Sequence, residues 1–137
     1  MPAIMSAPYP IEFVDEGNTI VLRVEEYDLI RTIHMDVQTD PNPAPSILGY
    51  SAGLWEDKTL VVETNATNWG YFRGTGEYPT SENIKFIERF TAIENGGRLQ
   101  YELTVIDPTV FTEQVVMSKS WIWLPDVTLD PYECASQ

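Results

Sequence analysis

The chain holds one histidine, one cysteine and only 8 lysines and arginines, against 21 aspartates and glutamates, for a formal net charge of -13. Each scarcity excludes a class of function. The lone cysteine, Cys134, permits no intramolecular disulfide, and its neighbours Asp130 and Glu133 deny it the electropositive setting that activates a thiol. The lone histidine, His34, cannot form a histidine pair for zinc. The acid excess repels phosphate backbones and anionic lipid and removes the basic footprint that nucleic-acid binding requires. No dinucleotide glycine fingerprint, Walker loop or Gly-x-Ser-x-Gly elbow occurs, so no metal and no cofactor is expected. No apolar run reaches the length of a membrane-spanning helix. The start, Met1-Pro2-Ala3-Ile4-Met5-Ser6-Ala7-Pro8, lacks the basic and apolar regions of a signal peptide, which gives the expectation of a cytoplasmic protein.

What the chain does carry is apolar substance: 43% hydrophobic and 12% aromatic residues over 137 positions. That suffices for one self-supporting domain spanning residues 1–137. Apolar residues recur at period two rather than at helical spacing, which predicts strands over 11–14, 19–26, 30–35, 47–55, 59–65, 82–91, 99–106 and 115–124. Turn formers separate them. Asp15-Glu16-Gly17-Asn18, Glu56-Asp57-Lys58 and Glu94-Asn95-Gly96-Gly97 have the length and residue types of hairpin connections. The proline-rich stretch from Asp40 to Pro45 cannot supply a ladder with donors and reads as an extended loop. The expected fold is an all-β, antiparallel, eight-stranded barrel of lipocalin-like or streptavidin-like type, with a half-open barrel or a β-sandwich as the alternative.

In a meander of alternating strands, the long connections after Met35, Asn65 and Ile106 share one rim, where small barrels bind ligands. This reading gathers His34, Asp36, Glu63, Asn65 and Asp107 at that rim. An imidazole beside carboxylates suits proton transfer, so His34, with Asp36 or Glu63 to orient it, forms the candidate catalytic set. Glu88 shares a strand face with Ile84, Phe86 and Phe90, points inward, and needs an arginine or tyrosine partner or a proton; Arg23 and Arg31 are the candidate partners. The segment from Ala66 to Ser81 reads as a lid, with Trp69 and Tyr71 as ligand walls beside Tyr50. Plain anchoring of that loop, and an ordinary Asx turn at Asp36, are the competing structural readings.

The runs Arg31-Thr32-Ile33-His34-Met35-Asp36, Gly49-Tyr50-Ser51-Ala52-Gly53-Leu54-Trp55-Glu56 continuing through Thr59-Leu60-Val61-Val62-Glu63-Thr64, and Glu88-Arg89-Phe90 resemble those of a widespread bacterial family of uncharacterised proteins. The resemblance extends through Tyr101 to Asp107-Pro108 and to Tyr132-Glu133-Cys134. It implies no activity, since none is established for that family, whose members often look longer at the N-terminus and exported. Three functions stay open at the level of sequence: binding of a small, partly apolar molecule; cofactor-independent acid/base catalysis such as isomerisation, cyclisation or lyase action; and an assembly role, including a homo-oligomer.

Overall fold

A computed structural model describes residues 4–5, 7–35, 40–72 and 76–133. Eight strands form one sheet in chain order: β1 (Ile11–Asp15), β2 (Thr19–Val24), β3 (Leu29–His34), β4 (Tyr50–Glu56), β5 (Thr59–Asn65), β6 (Lys85–Ile93), β7 (Arg98–Ile106) and β8 (Val115–Ile122). Among the described residues no ladder joins β8 back to β1. The curled sheet is therefore a half-barrel, the open form of the expected all-β fold, rather than a closed barrel.

Period-two patterning dictates the inner face. Leu22, Val24, Ile33, Leu60, Val62, Phe86, Phe90, Tyr101, Leu103 and Val105 are all buried, and cross-strand register sets them beside one another: Leu60 opposes Phe90, and Phe90 opposes Tyr101. The curl brings β1 over β6, where the Phe13 and Phe90 rings meet edge-on with centroids 5.1 Å apart. The N-terminal segment is tied to the inner side of β8, the Lys119 ammonium donating to the Ala7 carbonyl at 2.6 Å and the Trp121 indole to that of Tyr9 at 3.2 Å.

The alternating meander fails at one point. β3 and β4 pair parallel, through Ile33 with Ser51 and His34 with Ala52, while every other neighbouring pair is antiparallel. A parallel neighbour requires a crossover rather than a hairpin, and the stretch between His34 and Tyr50 provides the length. Its prolines keep it out of the ladder. Strand β4 accordingly begins at Tyr50 rather than at residue 47, after Gly49, whose φ of +70° places a hypothetical Cβ 2.5 Å from the Asn65 carbonyl oxygen. The parallel step reverses the phase of the chain, so the end of β3 points toward the tight turns and not toward the connections after Asn65 and Ile106.

The two ends of the half-barrel differ as a result. At the end reached by β5 and β7, Met5, Phe72 and Ile84 are buried and close the core. The Ala66–Ser81 stretch contributes Phe72 to this plug, while Trp69, Tyr71 and Tyr78 remain exposed. The loop is thus anchored at Phe72. The opposite end, bounded by the β1–β2 and β4–β5 turns, leaves inner-face side chains accessible. Asn95 and Gly96 in the β6–β7 turn and Asp57 in the β4–β5 turn adopt positive φ, in line with the turn chemistry of those residues.

Candidate functional site

Burying Glu88 in an apolar face demands a partner, and β3 supplies it. Arg31 Nη1 donates to Glu88 Oε1 at 3.1 Å and Nη2 to Oε2. Two further donors are used as well: Arg31 Nε reaches Ser51 Oγ at 2.9 Å and Nη2 reaches Thr64 Oγ1 at 2.6 Å. The Tyr101 hydroxyl donates to Glu88 Oε1 at 2.9 Å, and the Ser51 and Thr64 hydroxyls bond each other at 2.9 Å. Burial pulls the Arg31 guanidinium down, but the charge and hydrogen bonds of Glu88 outweigh it and hold it above its ordinary value. Burial, then the charge of Glu88, pushes the Tyr101 phenol well above its usual range. Both Glu88 oxygens are engaged and the residue is fully buried, so Glu88 joins β6 to β3 across the core rather than facing a ligand. Arg23, the other candidate partner, pairs with exposed Glu12 at 2.9 Å instead.

The same register sends the alternate residues outward. His34, Ala52 and Glu63 are successive cross-strand partners, and Tyr50 opposes Asn65. A groove of about 670 Å³ runs on the outer face of β4, β5 and β6, lined by Tyr50, Ala52, Glu63 and Asn65 together with apolar Leu54, Val61 and Ile87. Met35, where the crossover leaves β3, also lines it. The crossover returns past Tyr50, whose hydroxyl accepts the Asp40 N–H at 3.2 Å. Tyr50 is fixed on its other side by His34, the two rings stacked with centroids 4.6 Å apart and planes inclined by 10°.

Charge around the groove is balanced locally. Glu63 accepts from Lys85 at 3.3 Å and Glu56 from Arg89 at 2.6 Å. Among the described residues one buried polar side-chain atom, Asn65 Oδ1, has no hydrogen-bond partner. A buried acceptor without a donor costs about 1–3 kcal/mol.

The structure therefore brings together four of the residues expected at a common site, His34, Tyr50, Glu63 and Asn65, but on the outer face of the sheet. It separates the others. Asp107 is buried and staples the loop before β6, accepting from the Ser81 N–H and hydroxyl, each at 2.7 Å. Trp69 lines a shallow surface depression with Pro45 and Thr80, and Tyr71 forms an isolated bridge with Pro79. Asp36 and Cys134 lie outside the described residues. Sequence reasoning missed the groove walls Leu54, Val61 and Ile87, although period two sets them on the face of Glu63. It placed them on no pocket because an outer sheet face was read as plain surface.

No group of three or more metal-ligating side chains occurs among the described residues, and no helix among them is long and apolar enough to cross a membrane. Comparisons with protein-family models, with curated proteins and with solved structures found no match.

Proposed function

We propose that this protein binds a small, partly apolar molecule bearing an N–H or O–H donor, in the outer groove between Tyr50, Leu54 and Asn65. The observation that carries this reading is Asn65, which lines the groove and whose Oδ1 is buried without a hydrogen-bond partner, beside Glu63 and Glu56, which already have partners. Small-molecule sites combine apolar walls with a few placed polar groups that orient the ligand, and Leu54, Val61 and Ile87 supply the walls here. The His34–Tyr50 stack and the Tyr50–Asp40 hydrogen bond hold one wall rigid before a ligand arrives, which lowers the ordering cost of binding.

Acid/base catalysis is less well supported, because Glu63, the described carboxylate expected to orient His34, bonds Lys85 instead. A fluorescence titration with N-phenyl-1-naphthylamine, a neutral apolar probe with a single N–H, tests the binding reading. Saturable emission that is lost in Asn65→Leu supports it; no saturable signal, or equal binding by the variant, contradicts it.

A further inference from the structure

At the tight-turn end of the half-barrel the inner face opens into a second, smaller recess of about 220 Å³, separate in its lining from the outer groove. Its floor is aliphatic, with Ile20, Leu60, Ala92 and Leu99, and its walls are aromatic. Phe13 and Phe90 meet at an interplanar angle of 76°, forming a corner, and the indole of Trp55 stands at the mouth 60% exposed. Two charged side chains flank the opening, Asp15 and Lys58.

We infer that this recess binds a small organic ammonium ion carried on an apolar body. Aromatic faces attract cations through their quadrupole, and a corner of several rings beside a carboxylate is the arrangement that recognises substituted ammonium groups. Asp15 supplies the carboxylate. It is held in place because its Oδ1 accepts the Gly17 N–H at 2.8 Å. Lys58 opposes a cation and Asp15 opposes an anion, so the two flanking charges nearly cancel. The wider field then decides: a net charge of -13 raises the local concentration of cations and lowers that of anions. The dimensions suit a small molecule rather than a peptide segment. Lys58 sits on the two-residue turn between β4 and β5, where it sets affinity by repulsion.

Calorimetric titration with phenethylammonium, 2-phenylethanol and phenylacetate, which share one apolar body and differ in charge, tests the assignment. The ammonium is expected to bind most tightly, the alcohol more weakly and the carboxylate least. Asp15→Asn, which retains an oxygen for the Gly17 N–H, should weaken ammonium binding about fivefold, and Lys58→Met should strengthen it by a similar factor, as expected for one charge near 4 Å in a high-dielectric setting. Added salt should reduce both effects. In amide NMR spectra the ammonium should perturb Trp55 and Ala92. The inference is overturned if none of the three probes binds, if the alcohol binds as tightly as the ammonium, or if phenylacetate binds best and Lys58→Met abolishes it.

Discussion

Arg31 and Glu88, separated by 57 positions, meet inside the half-barrel with Arg31 Nη1 3.1 Å from Glu88 Oε1 and side-chain exposures of 4% and 0%. Two desolvated charges in this setting are held by geometry: the fork of the guanidinium matches the carboxylate, and hydroxyl groups take the remaining bonds. The pair links β3 to β6 across the inner face, spanning the parallel step at which the rest of the sheet could shift.

Breaking that pair from one side should be costly. Glu88→Leu leaves the Arg31 charge buried without a counter-ion and is expected to destabilise the fold by about 3–5 kcal/mol. Replacing the polar centre together, as Arg31→Met, Glu88→Leu and Tyr101→Phe, should recover most of the loss, because an apolar core of similar volume carries no desolvation cost. Urea unfolding of both variants measures the difference. Equal destabilisation of the two would mean that the hydrogen bonds, rather than the stranded charge, dominate.

Tyr101 gives the fold an alkaline limit. Burial, then the charge of Glu88, raises its phenol in the folded state above the ordinary tyrosine value of about 10, so the native form keeps its proton where the unfolded chain loses it. Stability from this source is complete below pH 10 and is lost as the pH rises above it. The expected result is a tyrosine that ionises, by its near-ultraviolet absorbance, only as the protein unfolds. Tyr101→Phe should remove that component and flatten the alkaline decline, at the expense of one hydrogen bond to Glu88.

Gly49 and Gly17 both adopt positive φ, yet they should respond differently to alanine. At Gly49 a Cβ falls 2.5 Å from the Asn65 carbonyl oxygen, whereas at Gly17 it meets nothing within 4 Å. Gly17→Ala should cost about 1 kcal/mol, the conformational penalty alone. Gly49→Ala should cost about 2–3 kcal/mol more, because backbone must move, and it should disturb the Tyr50–Asn65 pairing that frames the outer groove. Thermal unfolding of the two variants checks the ordering.

The strands were legible because period two survives in short β-branched and aromatic runs, and the inward turn of Glu88 followed from its place between Phe86 and Phe90. Its partner also lay within reach of the sequence, since Arg31 alternates correctly with Ile33. What the pattern could not express was direction. A loop of prolines and polar residues between His34 and Tyr50 serves a reversal or a crossover equally well, and the parallel pairing at Ile33–Ser51 sets β3 and β4 running the same way, against the alternation. His34, Glu63 and Asn65 still converge, because cross-strand register holds neighbouring strands level whatever their direction. Whether Phe72 or Trp69 would turn inward was equally hidden: both are aromatic and lie in the same loop, and only the burial of Phe72 in the core cluster distinguishes them.

Asn65 provides the most direct test of the proposed binding role, because stability and binding should move in opposite directions there. Asn65→Leu, close to isosteric, removes a buried acceptor that lacks a donor, and is expected to raise the unfolding free energy by about 1 kcal/mol. The same variant should lose saturable binding of N-phenyl-1-naphthylamine. A paired measurement of urea unfolding and probe fluorescence on the wild-type protein and Asn65→Leu decides the matter. Greater stability with lost binding is the predicted result; lower stability with binding intact would show that Asn65 serves the fold alone and would contradict a ligand site in the outer groove.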